Sequence, residues 1–178
     1  MMHEYTPLVE VFSIDEAWLD VTRSLSIFGS SERIASLLKA RIYRSFGLKC
    51  SIGIAPNKLL AKLVSDKKKP DGLTVIQPGE VSRVLEHLPI KELCGIGGKM
   101  DRHLALLSIR TCGQLGRYDE GILTRKFGII GPRLKQMGQG VDDSPVEPAD
   151  ESDAVKSVGS RVISPAWRPD GIRNVNIM

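Results

Sequence analysis

The sequence predicts an α+β fold, and three observations carry that prediction. Over residues 1–89, short alternating apolar stretches take turns with stretches of helical period. From Ile90 to Gly140 only short helical patterns punctuated by glycine remain. Residues 141–153, VDDSPVEPADESD, carry acid and proline with no period at all. The expected organisation is a sheet-and-helix unit over 1–89, a small all-helical unit over 90–140, a linker over 141–156 and the start of a further strand-bearing unit over 157–178.

Val9 and Val11 alternate with Glu10 and Phe12, and Ala17, Leu19 and Val21 alternate with Trp18, Asp20 and Thr22. Two strands therefore flank Asp15 and Glu16 as a hairpin. Ser30 or Ser31 caps a helix whose Ile34, Leu37, Leu38 and Ile42 share one face, ending near Phe46 and Gly47. Cys50, Ile52 and Ile54 mark the next strand. Asn57 caps a second helix with Leu59, Leu60, Leu63 and Val64 inward and Lys58, Lys62 and Lys67 outward, stopped by KKKPDG. Gly72–Ile76 reads as a short strand and Glu80–His87 as a short helix closed by Pro89. SVGSRVIS, residues 157–164, restarts strand-like alternation before the tail PAWRPDGIRNVNIM, which is too short to build a core of its own. No internal repeat is found.

With 178 residues and 42% hydrophobic content, the chain has room for one ordinary domain or two small ones. No apolar run reaches the ~18 residues of a membrane span, and MMHEYTPLVE lacks a secretory pattern. The expected address is the cytoplasm. Cys50, Cys94 and Cys112 are odd in number and never spaced CxxC, which speaks against a disulfide framework and a zinc site. They read as small buried residues.

Charge is unevenly spread. Residues 1–32 carry a net −5 and residues 33–69 a net +9, followed by +3 over 70–140 and −3 over 141–178. Such asymmetry suits a polyanion held on the basic part with its reacting phosphate presented to cations on the acidic part. A solvated, lysine-bearing helix face explains the same count.

Three stretches carry candidate chemistry. Asp15 and Glu16 sit where two strands meet, and at a bend their side chains can converge on one divalent cation, as two-metal nucleotidyl transfer requires. Acids in a turn are also ordinary solvated residues. Lys67, Lys68 and Lys69 end the basic helix where a triphosphate could be neutralised, or where cations simply meet the helix dipole. LCGIGGKMDRHLALL, residues 93–107, places Gly95, Ile96, Gly97, Gly98, Lys99 and Arg102 at a tight hairpin between two short helices. Its backbone N–H groups can grip a nucleic-acid phosphate, or the glycines can serve as a connector.

Taken in order, YTPLVEVFSIDEAWLDVT, CSIGIAPNKLLAKLVSDKKKPDG, LCGIGGKMDRHLALLSIRTCGQL and SVGSR resemble the Y-family, translesion DNA polymerases, from about Tyr5 to Ile163. The resemblance implies a partial palm (an antiparallel sheet with helices) over 1–89 and a thumb with a helix-hairpin-helix over 90–140. It also implies a tether and the first strand of an incomplete little finger. It implies an error-prone DNA-directed DNA polymerase acting in repair, with Asp15 and Glu16 as catalytic Mg2+ ligands and Ser13 and Ile14 in the supporting strand. Lys69 would touch the incoming deoxynucleoside triphosphate, and Gly95–Lys99 with Arg102 would hold the backbone of primer–template DNA. A sliding clamp would be engaged through a C-terminal region that this chain does not contain.

A complete family member begins with a palm strand bearing another metal-binding aspartate, followed by fingers. Neither lies in this chain, so it is expected to be a fragment inactive by itself. Trp18 stands where the family usually has tyrosine. Two other readings are a non-catalytic DNA-binding or regulatory module with a polymerase-like thumb, and a nucleotide cyclase with a related palm. The cyclase explains neither GIGG nor KKKPDG.

Overall fold

The computed structural model describes residues 1–148 and the backbone of residues 174–177. The expected hairpin forms: β1 (Val9–Ser13) pairs antiparallel with β2 (Glu16–Asp20). The alternation predicted for β1 holds only at its start, because the register shifts between Val11 and Ser13; Val9 is buried while Val11 is exposed. A short helix, α1 (Leu25–Phe28), leads to α2 (Ser31–Phe46). Ser30 caps α2 by accepting a hydrogen bond from the Arg33 amide, and Gly47 ends it in the left-handed region.

After β3 (Ile52–Ala55), Asn57 caps α3 (Lys58–Ser65), which returns the chain to β4 (Leu73–Val75). β4 lies parallel to β3, as a helical crossover requires, so the sheet is mixed and not the antiparallel one expected. Every residue of β3 is buried, the mark of a strand covered on both faces. Gly53 is where α3 packs closest: a Cβ there would collide with the Ala61 carbonyl oxygen and lie 2.6 Å from the Ser65 amide nitrogen.

The sheet has five strands in the order β1-β2-β5-β3-β4. The fifth, β5 (Asn174–Ile177), comes from the tail, where no strand is expected. A segment too short for its own core is stable as a strand when two other strands supply the partners. The stretch 157–164, including the expected little-finger strand, lies outside the described residues, as does residue 149 onward of the linker up to 173.

On one side of the sheet Leu19, Val21, Ile52 and Ile54 pack against Ile34, Ala35 and Leu38 of α2. On the other side, the core begins at Trp18 and the inner face of α3. It then runs without interruption through α4 (Val81–Glu86), α5 (Gly98–Ala105), α6 (Cys112–Arg117), α7 (Glu120–Phe127) and α8 (Gly131–Gln139). No strand forms between 90 and 140, as expected, apart from one isolated bridge between Pro89 and Thr111. α6 and α8 touch through glycines: a Cβ on Gly116 would lie 2.9 Å from the Gly138 backbone.

Beyond α8 the chain turns back over the sheet unit. The Asn57 side-chain Nδ2 donates to the Gly140 carbonyl (2.8 Å), the Leu59 backbone amide to Asp142 (3.2 Å), Lys58 to the Pro145 carbonyl (3.1 Å) and the Glu147 backbone amide to Glu10 (2.8 Å). Val146 is buried. The start of the predicted linker is thus a strap fixed to the body. No helix among the described residues is long and apolar enough to cross a membrane.

Candidate active site and nucleic-acid interface

Ile14 and Asp15 form the turn between β1 and β2, and Glu16 opens β2. Ile14 is fully exposed and belongs to the turn, which corrects its expected place in the strand. The register shifts just before Ser13, which pairs with Glu16, so the two successive acids both lie at the tip, Asp15 in the turn and Glu16 at the first position of β2. The Ser13 hydroxyl donates to Asp15 (2.8 Å) and so orients that carboxylate. Asp20 lies at the other end of β2, where its carboxylate accepts from the Thr22 amide (2.9 Å) and is no part of the tip.

Glu16 accepts a hydrogen bond from Lys62 (2.9 Å). Lys62 and Lys58 point inward, contrary to the expected outward face of α3; their side chains are only 14% and 11% exposed. Lys58 pairs with Glu10 (2.6 Å) and lies 4.7 Å from the centre of the Trp18 ring. Apolar stems of lysine can line a core edge so long as a carboxylate meets each ammonium.

The helix ends at Ser65, before the lysine run, so Lys67, Lys68 and Lys69 occupy the turn that follows it. Lys62 also reaches Asp66 (3.3 Å), and Asp66 accepts from Lys69 (2.9 Å). A row of alternating charge therefore runs from the hairpin tip through Lys62 and Asp66 to Lys69. Against the burial that would raise it, the hydrogen bonds from Lys69 and Lys62 hold Asp66 below the usual carboxylate range. Lys62 is held above the usual lysine value, despite its burial, by the hydrogen bond to Glu16 and the charge of Asp66. Lys67 pairs with Glu92, just ahead of the glycine-rich turn.

In that turn one glycine is needed for its backbone: Gly95 has φ +90°, a region other residues rarely adopt. Gly97 and Gly98 meet no crowding, so their lack of side chains opens the start of α5 to an approaching group. The element before the turn is a single 3-10 turn, Ile90–Glu92, not the short α-helix expected. Ile96 is buried, and its amide is spent on the Leu93 carbonyl (3.1 Å), so it anchors the turn. The first bond within α5 comes from the Asp101 amide to the Gly97 carbonyl (3.0 Å), which leaves the amides of residues 98–100 ahead of the helical ladder. Lys99 and Arg102 follow within the first turns of α5.

Carboxylate oxygens are the donors that a hard cation such as Mg2+ takes. The tip supplies two of them. No cluster of three or more His, Cys, Asp or Glu side chains able to hold a metal occurs among the described residues. The donor chemistry fits, as a partial set.

Sequence reading missed Lys62, Asp66 and Glu92. The 62–66–69 spacing is a recognisable helical i, i+4 then i, i+3 series, whereas the contacts of Lys62 with Glu16 and of Lys67 with Glu92 exist only in three dimensions.

A sheet with covering helices, a carboxylate-tipped hairpin beside a basic helix and an appended helical unit resemble the domains of Y-family polymerases. The comparisons agree. Residues 1–66 match the model of the impB/mucB/samB family. DNA polymerase IV of Moorella thermoacetica is 45% identical over 165 residues, 93% of this chain and 41% of that protein. DNA polymerase IV of Legionella pneumophila strain Paris is 48% identical over 148 residues, 83% of this chain and 42% of that protein. Among solved structures, an insertion ternary complex of Dbh DNA polymerase superposes with a TM-score of 0.75 at 35% identity, covering 82% of this chain and 43% of that one. DinB from Sulfolobus solfataricus gives 0.73 at 35% identity, with 82% and 43% covered. The chain is thus similar to Y-family DNA polymerases, as its motifs imply, and spans about two fifths of the length of the curated relatives it matches.

Proposed function

We propose that this chain is a segment of a translesion DNA polymerase of the Y family. In this reading it carries part of a magnesium-dependent nucleotidyl-transfer site and a grip on duplex DNA. Residues 1–89 then act as part of the palm, with 174–177 completing its sheet as β5 in place of the little-finger assignment expected for them, 90–140 as the thumb, 141–156 as the tether and 157–173 as the start of the little finger. The observation that carries the reading is the adjacency of the hairpin tip to α3: Glu16, next to Asp15 in the chain, is joined to Lys69 through Lys62 and Asp66.

Asp15 and Glu16 would hold Mg2+, which when bound activates the attacking hydroxyl and neutralises triphosphate charge. Ser13 orients Asp15. Asp66 positions Lys69, whose ammonium would meet the triphosphate of an incoming deoxynucleotide. The amides of residues 98–100, with Lys99 and Arg102, would hold phosphates of the primer–template without reading bases. A cytoplasmic setting and a clamp contact through residues outside this chain belong to the same proposal.

Binding of a fluorescent primed duplex across a salt series tests the grip. Affinity is expected to fall log-linearly with salt, and Lys99→Ala with Arg102→Ala to reduce the slope by about two, roughly one per lost phosphate contact. Equal affinity for heparin and for duplex overturns this part. Paramagnetic Mn2+ tests the tip: its relaxation effect is expected to centre on residues 13–16 and to vanish in Asp15→Asn/Glu16→Gln. Primer extension is expected to need a further acidic ligand, because the described residues gather only two.

The engagement of Glu16 by Lys62 also favours a second reading, a non-catalytic DNA-binding module. Under it the Asp15→Asn/Glu16→Gln chain binds duplex normally and Mn2+ shows no site.

A further inference from the structure

β2 and β3 are not paired with each other. β2 is paired to β1 on one side and β3 to β4 on the other, and between them runs β5 alone, antiparallel to both. The registers agree across all three strands. Ile177 stands opposite Ala17 and Ile52, Asn176 opposite Trp18 and Gly53, Val175 opposite Leu19 and Ile54, and Asn174 opposite Asp20 and Ala55. The two rows that hold Val175 and Ile177 are flanked by Leu19, Ile52 and Ile54, all fully buried. The two rows that hold asparagine are flanked by Trp18, Gly53, Asp20 and Ala55.

Four residues therefore join two ribbons of two strands each, and a ribbon of that kind has little stability by itself. An empty slot would leave the N–H and C=O groups of two strand edges unpaired in the interior of the fold. The slot offers an occupant main-chain partners on both walls and, at alternate positions, rows flanked by the buried Leu19, Ile52 and Ile54. Neither demands that the occupant be covalently attached, which is the physics of strand addition to a sheet.

We propose that the gap between β2 and β3 is a strand-acceptor site, and that it takes an extended polar–Val–polar–Ile peptide in trans, antiparallel to both walls, in exchange for β5. The attached strand holds the site through its high local concentration, not through more contacts than a free peptide makes. This inference stands on the sheet order alone and does not require the polymerase reading.

The test uses the full chain and a fluorescein-labelled peptide of residues 170–178, DGIRNVNIM, with a control peptide bearing aspartate in place of the valine and the isoleucine before methionine. Val175→Pro removes an amide that a central strand must donate. The altered chain is expected to bind the labelled peptide at least about ten-fold more tightly than the unaltered chain, since its own strand no longer competes. The bound peptide is expected to slow hydrogen exchange at residues 17–19 and 53–55. Equal binding of the control peptide, or protection elsewhere, overturns the proposal.

Should Val175→Pro fail to fold, a cysteine pair decides. Asp20→Cys with Asn174→Cys joins residues that face each other in register. The oxidised chain, with the disulfide mapped to 20–174, is expected to take up no peptide, and the reduced chain to bind it measurably. Failure of that disulfide to form, or equal binding in both states, rejects the strand-acceptor site.

Discussion

Replacing Lys62 by methionine keeps an apolar stem of similar length and removes the ammonium that lies 2.9 Å from Glu16 and 3.3 Å from Asp66. Two carboxylates then face each other's charge with less compensation. A fully buried pair broken in this way costs about 3–5 kcal/mol; both partners here keep some exposure, so the expected loss is smaller, about 1–3 kcal/mol. The urea midpoint reads it, and an unchanged midpoint would mean that the row of charges is solvent-screened decoration. Glu16→Gln in the same background is expected to recover part of the loss, because it removes the carboxylate left without its partner. Neither effect is visible from spacing. The adjacent acids are legible as a candidate site because a bend is legible; their neutralising lysine comes from a helix more than forty residues away and looks, by periodicity, like any outward cation.

At the scale of elements, the two ends of α3 set its stability. Asn57 accepts from the Leu60 amide (3.0 Å) and donates to the Gly140 carbonyl (2.8 Å), so one side chain both caps a helix and fastens the strap. Asn57→Ala is expected to cost about 1–2 kcal/mol, at the upper end for a cap because a second bond goes with it. Gly53→Ala is expected to cost at least about 1–3 kcal/mol, since the new methyl meets the backbone of α3, which has no rotamer to yield. Thermal unfolding of both variants checks these values.

Local elements were written plainly in local signals. Ser30, Asn57 and Gly47 mark helix ends correctly, and the absence of strand alternation from 90 to 140 marks the helical unit. What stayed illegible was pairing between distant segments. The parallel alignment of β4 with β3 is decided by the crossover, and β5 becomes a strand only because β2 and β3 stand one strand apart. A run of four residues, NVNI, has the alternation but too little length to announce itself.

For the whole molecule, titration gives a two-sided expectation. Asp66 and Asp142 are both held below the usual carboxylate range. Burial alone would raise them, but Lys69 and Lys62 oppose it at Asp66, and Ser144 and Arg133 at Asp142. Their contribution to stability is fully present above the ordinary carboxylate value of 3.8 and is lost as pH falls through their lower folded values. Lys62 is raised, so its contribution is fully present below 10.5 and is lost as pH climbs through its higher folded value. The unfolding midpoint is therefore expected to be flat from about pH 5 to 9 and to drop on both sides. A steep slope within that interval would show that other groups govern the fold.

The same whole-molecule view gives the strap a mechanical meaning. The polypeptide crosses between the sheet-bearing half and the helical half once near Leu88–Ile90 and again at 140–147, where Asn57, Lys58, Leu59 and Glu10 receive it. A single apolar core also runs from α3 through α8, so strap and core together hold the two halves as one body. Whatever the helical half grasps is thereby kept at a set distance from the carboxylates.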